Sequence, residues 1–188
     1  NSIGTNRISI SPAGNSFGPP SAGASSSKVT EDDERLIKNI EGVTKTFGFL
    51  LDPGQIEFNG KTKFSYVQGI PDDPSKYGNI RARFEIIKGR ELKPRDKNKV
   101  IIGYNLATKD NLFGKTLNIG DRVTIESKTF DVIGIRKKLG DPVSDDVFII
   151  PIETHREIFN SGDRYAILTA EVGSSYSPDV VAEKIKKE

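Results

Sequence analysis

Cysteine is absent from these 188 residues. That excludes disulfide frameworks, thiolate zinc sites and a cysteine nucleophile. It is compatible with either side of a membrane. Histidine occurs once, at His155, so one chain cannot build a multi-histidine metal site. Methionine is missing too, and Asn1 stands at the first position. A processed form or an excised piece of a longer product is therefore expected. No apolar run approaches the roughly 18 residues that cross a bilayer. Nor does a basic start lead into the apolar middle of a signal peptide. Any targeting or membrane segment is expected outside these residues. An excess of one charge is lacking as well: 28 Lys and Arg face 26 Asp and Glu, a net charge of +2. That balance gives no ground for nucleic-acid binding.

What is present suits one domain or two small ones. Hydrophobic residues make up 35%, enough for a modest core. Arg7 to Ser11 (RISIS) alternates like a strand. Pro12 to Lys28 is rich in Gly, Pro and Ser and reads as a mobile loop. Thr30 caps a helix opened by Glu31, Asp32 and Asp33, with Leu36, Ile37 and Ile40 as its apolar face and Gly42 at its end.

From Val43 the pattern turns to strands. Asn59-Gly60 between two β-rich flanks predicts a tight hairpin. A strand is predicted over Ile80–Ile87, a buried run at Val100–Ile102 and a helix over Tyr104–Leu112. A second hairpin should turn near Ser127. Leu139–Asp146 reads as a loop, Val147–Pro151 as a buried strand and Ile152–Phe159 as a helix. A further strand spans Ala166–Val172, and Ser177-Pro178-Asp179 caps a last helix. The two outer parts share a strand–helix–strand layout. The expected fold class is α+β, a split βαβ (ferredoxin-like) subdomain with an inserted β-rich subdomain. The expected boundaries are 1–63 plus 143–188 for the first and 64–142 for the insert.

Gly-Lys-Thr occurs twice, at Gly60 and at Gly114. A phosphate loop needs a further glycine five positions ahead. Those positions hold Gln55 and Lys109, and neither tripeptide links a strand to a helix. His155 could serve a hydrolase as base, yet no Gly-x-Ser-x-Gly elbow accompanies it. It reads as a helix residue packed on the sheet. Asp141–Asp146 lacks the distal glutamate of a calcium loop. No catalytic, cofactor or metal residues are assigned.

Two surface readings stay open. Lys88–Lys99 carries six basic and two acidic residues. It is either a solvated run or a contact for an anionic surface such as lipid headgroups, made through Lys93, Arg95 and Lys97. The pairs and tail at Lys137, Lys138, Lys184, Lys186 and Lys187 add to it. No aromatic residues interleave, which weighs against single-stranded nucleic acid. Phe47 to Leu51 (FGFLL) is a buried strand, or an edge that recruits a partner through Phe47, Phe49 and Leu50.

Gly89-Arg90, Asp96, Val100–Gly103, Leu112-Phe113, Ile119-Gly120-Asp121 and Val132-Ile133-Gly134 follow one another in a recognisable order. Together with the opening SIGTNRISISPAG and the later VFIIPIETHREIF, they resemble the MacB-like periplasmic core domain of FtsX-type ABC transporter permeases. The resemblance covers nearly the whole chain. It implies the extracytoplasmic loop between the first two transmembrane helices, an α/β subdomain carrying a β-rich insert. It implies a domain that binds no ATP and is not an enzyme. Its partners would be a cytoplasmic ABC ATPase, a second permease copy and an extracytoplasmic adaptor or cargo. The work would be efflux, lipoprotein release or control of a cell-wall hydrolase. The isolated domain is expected to be a monomer, without nucleic acid. The alternative is a free-standing β-rich binding module for anionic ligands or single-stranded nucleic acid.

Overall fold

A computed structural model describes residues 6–12 and 28–187. The loop expected over Pro12–Lys28 lies, but for its two ends, outside the described residues. In chain order the elements are β1 (Arg7–Ile10), β2 (Val29–Thr30), α1 (Glu31–Lys38), β3 (Val43–Phe58), β4 (Lys61–Ile70), β5 (Ile86–Gly89), β6 (Lys99–Ile102), β7 (Arg122–Ile125) and β8 (Lys128–Arg136). Then follow α2 (Pro142–Asp145), β9 (Phe148–Pro151), α3 (Ile152–Phe159), β10 (Arg164–Tyr165), β11 (Ile167–Val172) and α4 (Pro178–Ile185). This is a mixed α/β fold with parallel and antiparallel pairings.

The chain divides into two compact units. The first takes the chain up to Phe49 and from Asp163 onward; the second is Leu50–Gly162. The insert expected at 64–142 lies wholly within the second. That unit begins earlier because β3 turns from β11 to β4 as its pairing partner at Leu50.

In the first unit β11 lies between β1 and the Val43–Phe49 part of β3, antiparallel to both. Thr30 begins α1 through a capping box. Its hydroxyl accepts from the Asp33 N–H, and Asp33 accepts from the Thr30 N–H at 2.7 Å. The helix ends at Asn39, ahead of the expected Gly42. Of its expected apolar face only Ile37 is buried, and Leu36 is 49% exposed. Ile37 and Val181 on the helices and Phe47, Leu168, Ala170 and Val172 on the strands are among the buried apolar residues here. The Tyr165 ring occupies the space a Cβ on Gly48 would need. Its hydroxyl donates to Glu34 at 2.5 Å, and Thr46 donates to the same carboxylate at 2.8 Å.

In the second unit the pairings close on themselves. β3 pairs β4, β4 pairs β9 in parallel, β9 pairs β6, β6 pairs β8 in parallel, β8 pairs β7, and β7 returns to β3 at Ile56↔Ile125. β5 adds to the outside of β8. Alternate residues fill the ring: Ile56, Val67, Val100, Ile102, Val123, Ile125, Phe130, Val132, Phe148 and Ile150. Period-two strands present one face inward, so closure gives this core without a sheet edge. Leu106, Phe113 and Leu117 from the β6–β7 connection complete it. The hairpin between β3 and β4 turns at Asn59 and Gly60, with φ of 52° and 68°, the two positive angles a type I′ turn requires.

Three local expectations are corrected. Residues 80–84 are not strand: Pro74–Phe84 forms short 3₁₀ turns kinked at Gly78, opened by Asp73 and Pro74. The rings of Tyr77 and Phe84 meet at 4.9 Å, tilted by 42°, and both residues are buried, so this segment covers a second apolar face. Tyr104–Leu112 is helical only over Tyr104–Ala107. Beyond it the Asn111 amide donates to the carbonyls of Leu106, Thr108 and Lys115, each at 2.8 Å, and folds the chain into turns. The expected loop Leu139–Asp146 contains the single turn α2, capped by Asp141.

Candidate functional site

The residue a hydrolase would use as base lies in the interior. His155 on α3 is fully buried. Its Nε2 lies 3.2 Å from the Val67 carbonyl oxygen, which can only accept, so Nε2 carries the proton. Its ring stacks on Phe159 at 4.4 Å, and Asp52 lies 3.6 Å away. A histidine so enclosed orders α3 against β4. Gly60 sits in the hairpin turn and Gly114 in a turn with φ of 66°. Neither precedes a helix, so no amide cradle for phosphate forms at either tripeptide. Among the described residues no cluster of acids and histidine could hold a metal ion. Asp145 is buried and accepts the N–H groups of Leu139 and Gly140, each at 2.8 Å. Beside it Arg136 is buried as well, donating to the Ser144 carbonyl. Burial pulls the Arg136 guanidinium down to about 10, against the pull of Asp145.

The FGFLL window is part of β3. Phe47 and Leu50 are buried, and Phe49 is half-buried 6.2 Å from the Phe47 ring. Phe47 pairs with Thr169 and Phe49 with Ile167 on β11, and Leu50 pairs with Gly69 on β4. The buried-strand reading accounts for Phe47 and Leu50.

The basic run between β5 and β6 splits in two. Arg90 turns inward and grips Asp96 with two hydrogen bonds, 2.7 and 3.2 Å. Lys99 pairs with Asp131 at 2.7 Å. Burial raises the Asp96 pKa, but the bonds from Arg90 and from the Lys93 N–H outweigh it and hold the carboxyl below its usual value. The bond from Lys99 does the same for Asp131. Lys93, Arg95 and Lys97 instead stand exposed. Lys93 and Arg95 sit on a four-residue turn, Lys93–Asp96, closed by the Asp96 N–H donating to the Lys93 carbonyl at 3.0 Å, and Lys97 follows it directly. Pro94 is its second residue. Arg95, the third, has φ of 76°, the left-handed value that a type II turn requires and that glycine or asparagine usually supplies. The Arg95 N–H donates to Asp72 at 3.1 Å. Thr154 on α3 donates to the Lys97 carbonyl at 3.0 Å.

The other lysines that seemed to extend this run are largely occupied. Lys137 pairs with Glu85 at 2.9 Å, and Lys138 lies 5.8 Å from the Tyr104 ring centre. Lys184 pairs with Glu41 and Lys186 with Glu183. Asp72 and Thr154 were invisible as parts of this surface because they lie far from it in sequence. Pro94 ahead of Arg95 was the readable signal.

The fold is similar to that of the periplasmic region of MacB from Actinobacillus actinomycetemcomitans. The TM-score is 0.74 at 18% identity, over 98% of this chain and 83% of that one. It is also similar to the extracellular domain of the transporter YknZ from Gram-positive bacteria, with a TM-score of 0.64 at 21% identity, over 87% of this chain and 80% of that one. These likenesses set the class: a mixed α/β domain with the fold of the MacB periplasmic region and the YknZ extracellular domain. In sequence, the pattern of the MacB-like periplasmic core domain matches residues 1–188. An uncharacterized ABC transporter permease of Methanocaldococcus jannaschii is 32% identical over 188 residues, covering 98% of this chain and 45% of its own length. The uncharacterized ABC transporter permease YknZ of Bacillus subtilis is 28% identical over 146 residues, covering 74% of this chain and 35% of its own length. The chain belongs to the MacB-like periplasmic core domain family. It spans less than half the length of these two permeases.

Proposed function

We propose that this chain is the extracytoplasmic domain of an ABC transporter permease, a non-catalytic relay and docking domain. Membership of the family across residues 1–188 carries this reading. A cytoplasmic ATPase would drive the parent permease, and a second permease copy would complete the transporter. Transmembrane helices flanking the domain would hold it on the outer side of the membrane. Among the described residues no helix is long and apolar enough to cross a membrane. We also read the first unit as a split βαβ of ferredoxin-like kind: β11 lies between β1 and β3, which α1 connects in sequence. The closed core of the second unit supports a rigid body able to pass on motion and present a surface.

The lack of cysteine in these 188 residues suits the domain to site-specific labelling, in a parent permease whose other cysteines have been replaced. In intact cells, Lys63→Cys in the parent permease should react with a membrane-impermeant maleimide; protection until the cells are lysed would place the domain inside. In nanodiscs with the ATPase, spin labels at Lys63→Cys or Lys109→Cys on the two copies should change separation on nucleotide binding. Identical distance distributions with and without nucleotide would sink the relay.

A further inference from the structure

Lys93 and Arg95 on the turn, and Lys97 after it, project from a segment that is held on several sides. Arg90 grips Asp96 from below, and Asp96 also accepts the Lys93 N–H at 2.9 Å. Asp72 holds the Arg95 N–H, Thr154 holds the Lys97 carbonyl, and the Asp131 N–H donates to the Asn98 carbonyl at 3.0 Å. Arg95 occupies a left-handed conformation that costs an arginine more than a glycine. Among the described residues, none of the three side chains has an acidic partner, whereas their neighbours Arg90 and Lys99 do. Hydrogen bonds and a strained backbone angle therefore fix the main chain that carries an exposed arginine flanked by two exposed lysines.

We propose that this turn is a preorganised docking point for an acidic segment of a partner protein. The proposal rests on the reading of the chain as a docking domain. Carboxylates are the matching chemistry, since an arginine fork takes a carboxylate by two parallel hydrogen bonds and a fixed backbone reduces the ordering cost of binding. A lipid surface recruits clusters of about 4 to 8 basic residues, more than this turn leaves free. Single-stranded nucleic acid is met by stacking aromatics beside the cations, and Lys88–Lys99 has none.

Fluorescein-labelled octaglutamate, titrated against the full 188-residue chain by anisotropy, tests this. Saturable binding that weakens with added salt is expected. Arg95→Gly should weaken it about fivefold, the loss of a charge-assisted contact, while the melting temperature stays level or rises as the turn relaxes. Asp96→Asn removes a negative charge beside the turn yet should weaken binding, because the brace is lost. Thr154→Val, which frees only the Lys97 carbonyl, should do so to a smaller degree and serves if Asp96→Asn does not fold. Equal or tighter binding by these brace variants would overturn preorganisation. Tighter binding to phosphatidylglycerol vesicles than to octaglutamate would overturn the class of partner. Binding to neither would end the proposal and leave the nucleotide-driven distance change, measured on the parent permease, as a separate outcome.

Discussion

The two units bury their apolar residues by different means. The second wraps strands into a closed ring, and Ile56, Val67, Phe113, Phe130 and Phe148 inside it have no exposed surface. The first sets three strands against helices and relies on a smaller set, with Leu168 and Ala170 fully enclosed and Ile37, Phe47 and Val172 nearly so. It adds a polar clasp in which Glu34 receives both Tyr165 and Thr46. A closed strand ring has no edge to fray, whereas a thin layer opens at its borders first. Firmness therefore lies in the unit that carries the basic turn.

That contrast can be broken in order of effect. Phe148→Ala should cost about 3 to 5 kcal/mol by leaving a cavity in the ring, seen as a fall in the denaturation midpoint. Leu168→Ala should cost about 2 to 5 kcal/mol, but native-state hydrogen exchange should show the loss confined to the first unit. If Leu168→Ala instead accelerates exchange in β6, β8 and β9, the two units do not open separately. Glu34→Gln sets an amide where two hydroxyls donate, and about 1 kcal/mol should be lost, with faster exchange in α1. Thr30→Ala removes the cap for about 1 kcal/mol or less, visible as lower helicity of α1 in amide shifts.

The smallest effect comes from acid. Asp96 is held below its unfolded value of about 3.9. Its contribution is therefore complete above that value and disappears as pH falls through the lower folded one. The Lys93 amide should report this by NMR, with a midpoint below that of an exposed aspartate. A midpoint at or above the ordinary value would mean the brace does not hold in solution.

Much of this was legible where one residue type controls a short span. Thr30 with Asp33 marked the helix start, Asn59-Gly60 the hairpin and Ser177-Pro178 the last helix. The family pattern was legible across the whole chain. What escaped depended on distant partners. Alternating apolar residues at Ile80, Ala82 and Phe84 looked like a strand, yet the rings of Tyr77 and Phe84 bury together only if the backbone coils. Asn111 ended a helix that periodicity would have continued, through three backbone carbonyls. The surface was half legible. Charge marked the run, but only the structure separated Arg90 and Lys99, tied to Asp96 and Asp131, from the four residues left outward, Lys88, Lys93, Arg95 and Lys97.

Gly48 and Tyr165 form a matched pair, since the ring fills the volume that any side chain at 48 would claim. Displacing that ring would also draw its hydroxyl away from Glu34. The two positions are thus expected to covary across relatives, a side chain at the first accompanying a small residue at the second. A substitution of Gly48 that looks mild by itself should be rescued by trimming Tyr165, so compensation, rather than tolerance, governs which sequences can share this unit.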